Sequence, residues 1–107
     1  MANNYKNAKV DLTTTSATTL YTCPAATTSL VKSILVSEDT GSADTITVTI
    51  TDADAAVFSL YKVKAVAANT TVELLTAPLV VQENEILKFT AATANRLHVV
   101  ASFLEIN

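Results

Sequence analysis

The chain has 107 residues, of which half are apolar and 16% are charged, so it holds enough material for one domain with a core and too little for two. Its formal net charge is −3 and Arg96 is its only arginine, a balance that lacks the basic surface of proteins that bind nucleic acid directly. No apolar run approaches membrane-spanning length, and the first nine residues lack the apolar segment of a secretory signal, so we expect synthesis in a cytoplasm.

The N-terminal residues 1–13 are predicted to be an extended arm that runs into a first strand. The arm begins with polar residues, and its second half alternates, with Ala8, Val10 and Leu12 on one side and charged residues on the other. A period of two places these sets on opposite faces of a strand. Residues 14–107 are then the domain proper, and the arm is a candidate clamp onto a partner.

Two further strands are predicted before the first clear turn. Residues 18–23 form a short strand that Pro24 ends, because proline cannot donate to a β-ladder. Residues 29–37 form a longer strand that is apolar on both faces. Its apolar residues are Leu30, Ile34 and Val36 on one face and Val31 and Leu35 on the other. Such a strand is central in its sheet or has one face against a partner.

The clearest strand in the chain is residues 44–52. Ile46, Val48 and Ile50 alternate with four threonines, and this β-branched alternation favours a strand with one buried face. We expect the apolar set to be core and the threonine face to meet solvent or a polar contact. Because the loop before it contains Gly41, we predict that it forms an antiparallel hairpin with the preceding strand.

Five more segments complete the predicted fold. They are residues 56–65, 70–75, 79–81, 85–91 and 96–106. Short strands at intervals of roughly 8–12 residues, with turn signals between them, predict an all-β protein, a single-domain antiparallel β-sandwich of about eight strands. Alternation does not report connection order, so jelly-roll and immunoglobulin-like arrangements both stay open.

The residues predict no catalytic, cofactor or metal site. His98 is the only histidine and lies within the closing strand, where a packed or surface imidazole is the usual role. Cys23 is the only cysteine, so we expect a reduced, small side chain and no intrachain disulfide. Without a nucleophile motif or a glycine-lined oxyanion turn, we do not expect an enzyme.

Acidic residues cluster near the predicted turns. They are Glu38, Asp39, Asp44, Asp52 and Asp54. Asp52 and Asp54 have the spacing that begins a calcium-binding loop, but the glycine and the bidentate glutamate of such a loop are absent. We therefore expect solvated turn carboxylates, with a weak cation site as the alternative.

The closing strand is also apolar on both faces, which indicates a second apolar surface. Leu97, Val99, Ala101 and Phe103 oppose Val100, Leu104 and Ile106. A two-layer sandwich buries one face of each sheet, so the surplus face favours contact with a partner. The alternative is a barrel-like core with ordinary exposed aliphatic residues. The candidate partner contacts are Tyr5, Lys6, Lys9, Val31, Leu35, Val100, Leu104 and Ile106.

Residues 20–34, LYTCPAATTSLVKSI, resemble the opening of small virion proteins of tailed phages, particularly marine phages and cyanophages. The TITV segment of the clearest strand and residues 79–87 and 97–106 are similar to the same group. The resemblance implies a β-sandwich module of the virion, either a head decoration (cement) protein or a tail-associated piece. It carries no functional residues with it.

The first hypothesis is therefore a phage capsid decoration protein. It would stabilise the head by bridging major capsid subunits as a homo-oligomer, with a trimer as the expected form and the virion as its location. Lys6 and Lys9 of the arm would meet an acidic capsid surface. The alternatives are a tail, neck or fibre component, and a carbohydrate- or receptor-binding sandwich. The absence of tryptophan disfavours a sugar site, and no cofactor, nucleic acid or membrane is expected as a partner.

Overall fold

The computed structural model describes residues 2–107, and these form nine β-strands without a helix. The strands are β1 (Asn3–Asp11), β2 (Thr18–Thr22), β3 (Thr28–Glu38), β4 (Asp44–Thr51), β5 (Val57–Val66), β6 (Thr71–Glu73), β7 (Leu79–Val81), β8 (Ile86–Ala91) and β9 (Leu97–Ile106). The predicted all-β class and the antiparallel β-sandwich are confirmed, and every predicted strand is present.

The strands form two antiparallel sheets. The first sheet has the order β1-β9-β3, and the far edge of β3 is shared by β6 and β7; the second has the order β2-β8-β4-β5. Because β6 and β7 together fill one position, nine strands occupy eight positions. In an immunoglobulin-like fold the first two strands pair within one sheet, whereas β1 and β2 lie in different sheets. Only β4 and β5 form a hairpin, and the resulting order is that of a jelly roll.

The predicted hairpin between the third and fourth strands is wrong. β3 belongs to the first sheet and β4 to the second, so the loop at residues 39–43 crosses between the layers. Gly41 has a φ of 84°, as expected for a turn glycine. A turn signal reports that the chain reverses, and a reversal into the opposite layer uses the same residue types as a hairpin.

A β-bulge in β3 changes which of its residues face the core. Its register with β9 shifts between Val31 and Ser33, so that the alternation of sides is interrupted at Lys32. Val31 therefore lies on the same side as Ile34 and Val36, and all three are fully buried. The prediction that Val31 contacts a partner is therefore wrong. It assumed an unbroken period of two, which would place Val31 on the face opposite Ile34 and Val36.

The core lies between the two sheets. Its fully buried apolar residues include Leu12, Val31, Ile34, Val36, Ile46, Val48, Val66, Val81, Leu87, Phe89, Leu97 and Val99. Complete burial of such a side chain stabilises the fold by about 1.5–3 kcal/mol. The prediction that Ile46 and Val48 are core is confirmed, and Ile50 is half-buried.

The predicted first strand is present, and it includes polar residues that were expected to form an arm before it. β1 starts at Asn3, before the alternating half of this segment, and pairs with β9 over its whole length. Ala2 and Asn107 extend the ladder with two backbone hydrogen bonds, of 2.8 and 3.0 Å. The polar side chains at the start of β1 give no strand signal in the sequence. The ladder is made by backbone groups and needs no apolar residue there.

Two of the turn carboxylates are buried, contrary to expectation. Glu38 is 1% exposed and Asp44 is 7% exposed, and Asp44 accepts a hydrogen bond from the Thr93 N–H at 3.1 Å. Donors to the Glu38 carboxylate are the backbone N–H groups of Thr40, Gly41, Ser42 and Asn69, at 2.8, 3.1, 3.2 and 3.0 Å. Hydrogen bonding, led by the Thr40 hydroxyl, lowers the pKa of Glu38 to about 2. The carboxylate thus joins the β3–β4 loop to the turn before β6.

Candidate functional site: the outer face of the first sheet

Cross-strand register aligns apolar residues in rows on the side of the first sheet that faces away from the second. One row contains Tyr5, Leu104, Leu30 and Val80, from β1, β9, β3 and β7. Another contains Lys9, Val100, Leu35 and Glu73, from β1, β9, β3 and β6. Ile106 lies beside the first row, between Asn3 and Thr28. We call this surface the outer face.

The outer face is apolar and accessible in the described structure. Tyr5 is 75% exposed, Val80 49% and Leu35 40%, and the neighbouring Leu30, Val100, Leu104 and Ile106 are half-buried. Isolated exposed aliphatic residues are normal on a protein surface, but several apolar side chains gathered on one sheet face favour an interaction surface.

Polar groups surround these apolar rows. The Lys32 ammonium lies 5.6 Å from the centroid of the Tyr5 ring, within the range of a cation–π contact. Lys9 donates a hydrogen bond to the Asn7 amide oxygen at 3.0 Å. Asn7, Ser102 and Ser33 form a polar row between the two rows, so the outer face mixes apolar and polar groups, as protein–protein interfaces commonly do.

The structure brings six of the eight predicted partner contacts to this face. They are Tyr5, Lys9, Leu35, Val100, Leu104 and Ile106. Val31 is in the core. Lys6 lies on the other side of β1, opposite Phe103, although about half of its side chain is exposed.

Sequence reasoning missed two residues of the outer face. The apolar pattern groups Leu30 with Ile34 and Val36, because the bulge at Lys32 leaves no signal in that pattern. Val80 was predicted to lie in a short strand, but neither side of that strand was assigned to the core or to the surface. The pairing of Val80 with Leu30 places Val80 in the apolar row, and that pairing depends on β7 joining the edge of β3.

A buried carboxylate lies at one end of the sandwich, behind the outer face. Glu105 is 4% exposed. It accepts a hydrogen bond from the Tyr21 hydroxyl at 2.6 Å and forms an ion pair with Lys6 at 2.8 Å. These contacts, led by that of Lys6, hold the pKa of Glu105 below its ordinary value. Burial, followed by the contact with Glu105, raises the pKa of Tyr21. The cluster joins β1, β9 and β2 across the two sheets and serves the fold.

A second exposed apolar patch lies on β5, at the edge of the second sheet. Val57, Phe58 and Val63 are 63%, 54% and 61% exposed. Two register shifts interrupt the pairing of β5 with β4, and Val63 has a φ of 52°, which is rare for a β-branched residue. The Val63 N–H donates to the Thr47 hydroxyl at 3.1 Å. This patch is on an irregular edge strand, whereas the outer face extends across several strands of the first sheet.

The described residues offer little for chemistry. Within residues 2–107, no group of three or more His, Cys, Asp or Glu side chains is placed to hold a metal ion. His98 lies 3.3 Å from Asp11 and 3.7 Å from Asp39 at the surface. Cys23 is fully buried, its thiol donates to the Thr27 carbonyl at 3.3 Å, and burial raises its pKa. Nor do these residues include a helix long and apolar enough to cross a membrane.

Comparisons with known proteins do not assign the chain to a family. No protein-family model matches it, and no curated protein matches it.

Proposed function

We propose that the chain is a structural protein of a phage virion, a decoration protein that binds the outside of the head and bridges major capsid subunits. The outer face of the first sheet carries the proposal, because it places seven apolar side chains on one accessible side of the sheet. The jelly-roll order adds support, since this topology recurs in viral capsid and lectin domains. The resemblance of residues 20–34 to small phage virion proteins is the third support.

The proposed mechanism is mechanical. The apolar rows of the outer face, from Tyr5 to Val80 and through Val100 and Leu35, lie against the capsid lattice. The outer face is four strands wide and about ten residues long, which is roughly 600 Å² at ~4.8 Å per strand and ~3.3 Å per residue. A standard interface uses about 800 Å² of each partner, so one copy alone provides a modest contact. Repeated contacts on neighbouring capsid subunits strengthen such binding through avidity.

The test is co-sedimentation with expanded heads assembled without this chain from the major capsid protein of the same phage genome. We expect saturable binding, and a double variant, Leu35→Lys with Val80→Lys, should weaken it at least tenfold. Both side chains are exposed, so the fold should tolerate the changes, and Leu35 lies opposite Glu73, which would accept a lysine partner.

The matched control places the same charges on the other exposed apolar patch. Val57→Lys with Phe58→Lys changes two residues of comparable exposure on β5 and should leave head binding unchanged. Absence of co-sedimentation by the wild-type chain would refute the decoration role. Binding to purified tails or to a glycan array instead would favour the tail component or the carbohydrate-binding sandwich.

A further inference from the structure

Of the edge strands in the described structure, only β1 is long and regular. β2 has five residues and a register shift between Thr19 and Tyr21. β5 carries two register shifts. β6 and β7 have three residues each and are separated by a segment that contains Pro78. Short length, bulges and proline are the usual protection of an edge against pairing with another chain. β1 has nine residues, no register shift and no proline or glycine.

The free edge of β1 presents a defined set of backbone groups. Ala2 exchanges two hydrogen bonds with Asn107, and the Leu12 N–H donates to the Leu97 carbonyl at 3.0 Å. In an antiparallel ladder such hydrogen-bonded pairs alternate, so the even-numbered residues of β1 direct their N–H and C=O groups toward β9. The odd-numbered residues therefore direct theirs away from the sheet. They are Asn3, Tyr5, Asn7, Lys9 and Asp11.

We propose that this edge pairs antiparallel with β1 of a second copy of the chain, about a two-fold axis at Asn7. In this register residues 3–11 overlap completely, and the five outward-directed residues of each copy form about ten backbone hydrogen bonds. A two-fold contact uses the same patch on both copies, so no second complementary surface is needed.

The side chains favour this register. Tyr5 of one copy lies opposite Lys9 of the other, Asn3 lies opposite Asp11, and Asn7 lies opposite its own counterpart. No like charges are directly opposed. Tyr5 is 75% exposed, so its ring is accessible to the aliphatic part of the Lys9 side chain of the second copy.

Neighbouring registers are less favourable. Moving the axis to Lys6 places the two Lys6 side chains directly opposite each other, and like charges in opposed positions destabilise a strand pair. Moving it to Ala8 leaves Asn3 and Asn4 outside the paired segment and forms about eight hydrogen bonds.

Lysines on an edge strand often prevent association, so Lys6 and Lys9 need separate consideration. Lys6 is on the inner side of β1 and is paired with Glu105 at 2.8 Å, which offsets its charge. Lys9 lies on the outer face beside Asn7, and in the proposed register its aliphatic part meets the ring of Tyr5. Neither lysine therefore opposes the pairing.

The pairing joins the two first sheets into one continuous sheet and roughly doubles the outer face. It is independent of the capsid role, and its product is a dimer rather than the trimer expected from the sequence. Light scattering on the purified chain over a range of concentrations should give a dimer. A mass that stays monomeric, or that reaches a trimer, would overturn the proposal.

Asn7→Pro is the specific test, because its N–H points to the free edge and a proline there removes no bond to β9. We expect at least a tenfold weaker dimer with an unchanged far-ultraviolet circular dichroism spectrum. Asn7→Ala is the matched control, since it removes the same side chain but keeps the N–H, and it should remain dimeric. A proline variant that stays a dimer would contradict the proposal.

Cross-linking tests the register even if the proline variant fails to fold. In Asn7→Cys the two introduced thiols lie on opposed residues whose Cα atoms are about 5.5 Å apart, within disulfide range. In Asn3→Cys they are eight residues out of register, about 26 Å apart. Mild oxidation should give a covalent dimer of the Asn7→Cys chain only. Cross-linking of the Asn3→Cys chain alone, or of neither chain, would refute this register.

Discussion

Replacing Tyr21 with phenylalanine tests whether the buried Glu105 cluster is a significant source of stability. The hydroxyl donates to the Glu105 carboxylate at 2.6 Å, and Glu105 is 4% exposed, so water cannot readily replace the lost donor. The ring itself keeps its contact with Phe103, at 4.4 Å between centroids. A hydrogen bond to a charged group contributes about 1.5–3 kcal/mol, so we expect Tyr21→Phe to lower the free energy of unfolding by roughly 2 kcal/mol.

The loss should depend on pH in a defined direction. Lys6 and Tyr21 hold the pKa of Glu105 below its ordinary value of 4.5. A carboxyl whose folded-state pKa is lowered adds stability above its unfolded-state pKa, and that stability declines as the pH falls through the folded-state pKa. Once Glu105 is protonated, Tyr21 donates to a neutral group, a bond of about 1 kcal/mol. The difference between wild type and variant should therefore shrink by roughly half in acid.

The assay is urea unfolding followed by circular dichroism at neutral pH and again at an acid pH below the folded-state pKa of Glu105. A loss of roughly 2 kcal/mol moves the midpoint by about 1 M urea and the thermal midpoint by about 8 °C. Tyr5→Phe is the matched control, because Tyr5 is 75% exposed, and it should change the stability by less than about 0.5 kcal/mol. Equal effects of the two variants, or a Tyr21→Phe effect that is the same at both pH values, would refute the reasoning.

Four further substitutions test other parts of the fold. Val63→Gly should raise the free energy of unfolding by about 0.5–1 kcal/mol, because an exposed valine at φ 52° is strained, and a lower urea midpoint would contradict this. Glu38→Gln should flatten the pH dependence of the urea midpoint between about pH 5 and pH 2, since the folded-state pKa of about 2 makes wild-type stability decline in that window. Val48→Asp should unfold the chain by burying an unpaired charge, as circular dichroism would show. Thr49→Asp, on the opposite side of β4 and facing Lys88, should stay folded; unfolding there would mean that the faces are reversed.

The strands were predictable because backbone geometry imposes a period of two on side-chain environment. β4 shows this up to Thr49, with Ile46 and Val48 buried and Thr47 and Thr49 half-buried on the other side. At the end of the strand the expectation is wrong, because Ile50 is half-buried and Thr51 is buried. Where the geometry departs from that period the prediction failed, as at Val31, which the bulge at Lys32 returns to the core side. A bulge adds one residue without changing composition, so an apolar pattern contains no record of it.

Pairing between strands that are far apart in the sequence was the second feature that could not be predicted. The connection from β3 to β4 crosses between the sheets, and no residue in its loop distinguishes such a crossing from a hairpin. Partners of Glu105 are equally distant, because Lys6 and Tyr21 come from two other strands. Most of the outer face was nevertheless predictable, since Val100, Leu104 and Ile106 share one side of β9 and the alternation there is unbroken.

The strand order also has a kinetic consequence. β9 lies between β1 and β3 in the first sheet, and β8 lies between β2 and β4 in the second, so the last two strands in the chain fill interior positions. Until β8 and β9 have been synthesised, each sheet lacks one of its interior strands. Such non-local topology is associated with folding in milliseconds to seconds, during which unpaired strand edges are exposed. We therefore expect the chain to fold as one unit after synthesis of its closing strand, and chains truncated before Leu97 to aggregate rather than form a partial sandwich.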